Sequence, residues 1–130
     1  MTVALGSIRI VSKRKGGASP LPGESIVDVD RSNPVLGNPH VLHDHRNEDE
    51  RARVIAAYAK DFREDVAAGG RMLGAVRELA QRLRNGERMA LRCWCAPRPC
   101  HAEIIRGKVY ELAGIDSTSV DHDREQAALF

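Results

Sequence analysis

Met89-Ala90-Leu91-Arg92-Cys93-Trp94-Cys95-Ala96-Pro97-Arg98-Pro99-Cys100-His101 decides how this chain is read. Its first half alternates in the manner of a strand, with Met89, Leu91, Cys93 and Cys95 on one face and Arg92 and Trp94 on the other. Its second half is broken by two prolines and runs into Ile104, Ile105, Val109 and Leu112, whose helical spacing closes at Gly114. A strand that gives way to a helix across a turn holding three cysteines and the only tryptophan marks a sheet edge furnished for more than packing.

Working back from that strand, Met72, Leu73, Val76, Leu79, Ala80 and Leu83 predict one amphipathic helix, ended by Asn85-Gly86. Val54, Ile55, Tyr58, Phe62 and Val66 predict another. The second begins at Asn47, with Glu50 three residues on in the pattern of a capping box, and stops at Gly69-Gly70. Upstream, Ile26 to Asp30 and Ser7 to Val11 read as strands, separated by a loop rich in glycine, proline and basic residues. The order β-β-α-α-β-α predicts a small Rossmann-like α/β layer fold, a mostly parallel sheet with helices packed on it. It forms a single domain over residues 1–114, with a tail over 115–130. Two helices between the second and third strands are long enough for a parallel crossover. The loops 31–46 and 95–100 are then expected to meet at one edge of the sheet, where open α/β sheets bind ligands. Gly107, inside the last helix, costs about 1 kcal/mol against Ala and is expected to answer a close packing contact.

Composition narrows the function classes. At 130 residues, with 42% apolar and 29% charged residues and a formal charge of +2, the chain is an ordinary globular domain. The clusters Lys13-Arg14-Lys15 and Arg82, Arg84, Arg88, Arg92 read as a solvated face before a phosphate track, which leaves nucleic acid the weaker partner. No apolar run approaches the ~20 residues of a membrane helix. The start Met1 to Gly6 lacks the basic leader and apolar core of a signal peptide. Three cysteines within eight positions make no disulfide framework. The expectation is a cytoplasmic protein with reduced thiols and no membrane partner.

Cys100 and His101 are expected in the first turn of the last helix, where unpaired amides and the dipole lower a thiol pKa and hold an anion. They are the candidate nucleophile and acid-base partner, although adjacent residues on a helical turn point in different directions. Arg98 in the turn adds charge for a phosphate or carboxylate, and Arg31 and Asn38 face it from the opposite loop. Cys93, Cys95, Cys100 and His101 also supply the four soft ligands of a structural zinc. Adjacency of the last two, and the i, i+2 spacing of the first two, suit a strand and a helix better, so zinc is the second reading and no cofactor is expected. Cys93 and Cys95 are read as buried packing. His40, His43, Asp44 and His45 form a further, loop-borne group of possible metal ligands.

Two motifs together resemble the phage and bacterial domain of unknown function numbered 4326. One is Asp30-Arg31-Ser32-Asn33-Pro34 leading to Leu36-Gly37-Asn38-Pro39-His40. The other is Leu91-Arg92-Cys93-Trp94-Cys95 followed by Pro97 and Pro99-Cys100-His101. That family has a strand, a Gly-Asn-Pro turn usually followed by Phe, and a helix with an Arg and a Tyr. Arg51 or Arg53 and Tyr58 match the helix; His40 stands where Phe is usual. The resemblance spans residues 7–114 and implies a small Rossmann-like domain of phage or prophage origin, working in the bacterial cytoplasm. A looser similarity, to an uncharacterised family with an acidic residue between the last cysteines, argues against an obligatory three-cysteine zinc site. The expected function is binding or processing of a nucleotide-related anionic small molecule at the sheet edge near Cys100. The alternatives are a non-enzymatic phage accessory protein that binds a host protein or a nucleotide signal, and a zinc module.

Overall fold

A computed structural model describes residues 6–13, 20–94 and 98–114. The elements are β1 (Ser7–Ser12), β2 (Glu24–Asp28), α1 (Glu48–Ala68), α2 (Arg71–Arg84), β3 (Arg88–Cys93) and α3 (Ala102–Ala113). Their order is the one the hydrophobic periods predict.

The three strands form one parallel sheet in the order β1-β3-β2. Register pairs Ser12 with Cys93 and Asp28 with Arg92, so all three strands point their carboxyl ends at the same edge. β3 is central, and Met89, Ala90 and Leu91 are wholly buried there, as befits a strand covered on both faces. A bidentate pair, Arg9 to Glu24 at 2.7 Å for both bonds, ties the two edge strands to each other across β3.

Helix boundaries follow local chemistry. The Asn47 side chain accepts from the Glu50 amide at 2.9 Å and caps α1. Glu50 does not return the bond as a full capping box would; its carboxylate takes the His43 amide instead. Gly69 ends α1 in the left-handed conformation at φ 70°. Asp65 then accepts from the Leu73 amide at 3.0 Å, which caps the start of α2 from the preceding helix. In α2 the stripe Leu73, Val76, Leu79, Ala80 and Leu83 is buried. α3 buries Ile105, Val109 and Tyr110, and the Tyr110 hydroxyl donates to the Ile8 carbonyl while accepting from the Ile8 amide at 2.9 Å. That tyrosine fastens α3 to edge strand β1.

Two expectations are corrected. Gly107 meets no atom within 4 Å where a Cβ would stand, so packing does not require it. On α1, Tyr58 and Phe62 enter the core, while Val54 and Ile55 line the cleft. β3 ends at Cys93, and α3 starts at Ala102 with His101 as its cap. Cys100 and His101 thus precede the helix proper. Cys95, Pro97 and the tail 115–130 lie outside the described residues. Among those residues no helix is long and apolar enough to cross a membrane.

Candidate functional site

Where the strands end, the loop 29–47, the start of α1 and the segment 99–101 line a cleft of about 440 Å³. That is the size of a small-molecule site, at the edge where parallel sheets carry them.

The first wall is the loop after β2. Asn33 staples it: its Oδ1 accepts from the Val35 and Leu36 amides at 2.9 and 2.8 Å, and its Nδ2 donates to the Asp28 carbonyl at 3.1 Å. Gly37 packs so tightly that a Cβ there would stand 2.4 Å from the Asp30 carbonyl oxygen and 2.6 Å from that of Asn33. Asn38 turns its Oδ1 to the His40 amide at 2.9 Å, and the Tyr58 hydroxyl donates to the Leu36 carbonyl at 2.8 Å from beneath. The Gly-Asn-Pro turn is therefore a rigid rim, and Arg31 and Asn38 both line the cleft.

The floor is set by Arg51. Only 3% exposed, its guanidinium donates to the carbonyls of His45 at 2.7 Å and Pro99 at 3.3 Å. Its Nε is buried without a partner, and among the described residues no carboxylate lies within ion-pair distance. Of the two arginines that match the family pattern, Arg51 is buried in the cleft wall and Arg53 is exposed. Val54 and Ile55, one turn further along α1, supply apolar lining.

Trp94 and Val41 are both in the lining at 50% and 47% exposure, unusually open for side chains of their size. The Trp94 indole donates to Asp30 at 3.0 Å, and the Lys13 ammonium sits 5.9 Å from its ring centroid. Desolvation pushes the Asp30 carboxyl up. Hydrogen bonds from Lys13, at 2.7 Å, and from the Ser32 hydroxyl and amide outweigh it and hold the group at about 2. Asp28 is lowered too, chiefly by its bonds from Arg92 at 2.6 and 3.1 Å. Of the basic clusters, the described Lys13 and Arg92 are paired with these carboxylates and Arg82 with Glu87.

Beneath the cleft lie Cys93, Cys100 and His101, all buried and all in its lining. The Cys100 amide donates to Glu103 Oε2 at 3.2 Å, so that carboxylate, from the first turn of α3, occupies the helix-start amide expected to hold an anion. Contrary to the expectation that neighbours diverge, Cys100 Sγ lies 3.4 Å from His101 Nδ1, and it lies 3.0 Å from Cys93 Sγ. The imidazole is fixed from behind by the Val29 carbonyl on Nε2 and by the Tyr58 ring at 4.8 Å between centroids. Burial raises the Tyr58 phenol well above its ordinary value, with the nearby Cys100 adding to it. Arg98 is exposed and donates to the His45 carbonyl; it is not among the described residues lining the cleft.

The histidine group of the loop disperses. His40 bonds Asp61 at 2.6 Å, His43 lies 3.4 Å from Glu50, and the Asp44 carboxylate accepts from the Arg46 amide at 3.0 Å. Among the described residues no three His, Cys, Asp or Glu side chains are placed to hold a metal ion, and Cys95 is not one of those residues.

A three-stranded parallel α/β domain with a cleft across its carboxyl edge defines the class of this protein. The sequence pattern of a family described as "Domain of unknown function (DUF4326)" matches residues 11–111, and the chain belongs to that family. No curated protein and no solved structure matches it.

Proposed function

We propose that this protein binds a nucleotide-related anionic small molecule in the cleft at the carboxyl edge of its sheet. Arg51 carries the reading. A guanidinium taken out of water without a counter-charge costs several kcal/mol, and two carbonyl bonds, one of them long, offset only part of that. An anion entering the cleft supplies the missing charge, and arginine is the side chain best shaped to hold a phosphate or carboxylate. The open apolar faces of Trp94, Val41 and Leu42 suit a flat heterocycle, which an aromatic side chain holds by stacking. Arg31 and Asn38 stand at the rim to read the remaining polar edges. Arg98, bonded to the His45 carbonyl that Arg51 also holds, positions the floor and does not touch the ligand.

The test is a thermal-shift panel of nucleoside mono-, di- and triphosphates with inorganic phosphate, run on the native chain and on Arg51→Met. A ligand at a hundred times its Kd stabilises by about 2.7 kcal/mol. The expected result is a nucleotide that raises the Tm of the native chain and raises that of Arg51→Met by no more than about half as much at the same concentration. If no nucleotide shifts the native chain, or both proteins shift equally, the proposal is wrong.

A further inference from the structure

Anion binding by Arg51 leaves the buried sulfur chemistry below it unused. Cys93 closes the central strand and Cys100 stands one residue before the cap of α3; they are 1% and 2% exposed, with sulfurs 3.0 Å apart. A backbone carbonyl only accepts, so His101 Nε2 must carry the proton that bonds Val29 O. In the neutral ring Nδ1 then presents its lone pair to Cys100 Sγ at 3.4 Å. A thiol with a fixed acceptor on one side and a second thiol on the other has the parts of a reactive pair: a nucleophile, its base and a resolving sulfur.

We propose that Cys100, His101 and Cys93 form a thiol-oxidation site that reduces a small peroxide and closes a Cys93–Cys100 disulfide. Cys100 gives its proton to His101 Nδ1, and the thiolate attacks one peroxide oxygen. The S–O bond forms, the O–O bond breaks, and the departing hydroxide takes the proton from His101 as water. Cys93 Sγ then attacks the Cys100 sulfenic acid; the S–S bond forms, the S–O bond breaks, and the second hydroxide leaves as water with the Cys93 proton. Two thiols are oxidised by two electrons, and hydrogen peroxide is reduced to two waters. The burial of both sulfurs selects a small oxidant that can enter through the cleft over a bulky disulfide. Bringing the sulfurs from 3.0 Å to the ~2.05 Å of a disulfide needs an approach of only about 1 Å. An added dithiol reverses the reaction by exchange. The site is independent of the anion reading, since Arg51 takes no part in these steps.

The experiment treats the full, reduced chain with hydrogen peroxide, then denatures it, alkylates it with N-ethylmaleimide and maps the peptides by mass spectrometry. The expected product has lost two hydrogens, carries one alkyl group, on Cys95, and links Cys93 to Cys100. Cys95→Ser should still form the link, and Cys93→Ser should instead accumulate a dimedone adduct on Cys100. His101→Gln should slow sulfenic acid formation at least tenfold. The native chain should react at least tenfold faster than the same chain in guanidinium, a comparison that needs no variant to fold. Three alkylated cysteines after peroxide, a disulfide that uses Cys95, or a native rate no faster than the denatured one would overturn the proposal.

Discussion

Replacing Arg51 with Met separates a functional arginine from a structural one. A structural arginine at 3% exposure would sit in a buried ion pair, and breaking such a pair costs ~3–5 kcal/mol because a charge is left uncompensated. Arg51 has no such partner among the described residues. Of the carbonyls it holds, that of His45 keeps the Arg98 guanidinium, and that of Pro99 belongs to an exposed residue. The loss of two hydrogen bonds from a charged donor, each ~1.5–3 kcal/mol, is set against release of a desolvated charge and of an unpartnered Nε worth ~1–3 kcal/mol. Met keeps the apolar stem, so no large cavity opens. The variant should therefore lie within about 1 kcal/mol of the native chain in urea unfolding, a Tm change of roughly 4 °C. Nucleotide affinity should fall by ~10- to 150-fold, the worth of one charge-assisted contact. A loss of stability above ~3 kcal/mol with unchanged affinity would make Arg51 a structural tie and refute the reasoning.

Other consequences follow from single contacts. Gly107→Ala should stabilise the chain by ~0.5–1 kcal/mol, because the position is helical and nothing stands within 4 Å of the added Cβ; a destabilised variant in urea would contradict that. Tyr58→Phe leaves the buried Leu36 carbonyl without its donor and should cost ~1–3 kcal/mol, read in the same assay. Asp30 is held at about 2 in the fold against an ordinary 3.8, so its bonds contribute fully above pH 3.8 and are lost as pH falls through about 2. The Tm gap between the native chain and Asp30→Asn should thus be constant above that window and close within it; a gap that widens on acidification would reverse the sign.

Most of the architecture was legible because short-range chemistry dictates it. Alternation in β3, the helical stripe of α2, the Asn47 cap and the Gly69 stop each depend on residues a few positions apart. The parallel β2–β3 pairing followed from the length of the connection alone. The place of β1, on the far side of β3, had no such local signal, since it is set by pairing over some eighty positions of chain. The site was legible as a location more than as a mechanism. Arg51 stands in the run Glu48-Asp49-Glu50-Arg51-Ala52-Arg53, which reads as a solvated helix start, and only the family pattern singled out an arginine there. What buries it is the return of the segment 98–101 from far along the chain. Val54 and Ile55 match the helical period of the core, yet period cannot tell a core stripe from a cleft wall. The contact of Cys100 with Cys93 and His101 likewise joins residues that lie before the first residue of α3, Ala102.

The central claim is that a nucleotide-related anion occupies this cleft, and the protein carries its own reporter. Trp94 is the only tryptophan in the chain, half-exposed and in the cleft lining. Its emission should be quenched saturably as adenosine diphosphate or another nucleotide is titrated in, with half-saturation of Arg51→Met at a concentration at least tenfold higher. Emission of the native chain that stays unchanged across the nucleoside phosphates, or quenching of Arg51→Met with an unchanged half-saturation, would contradict the account.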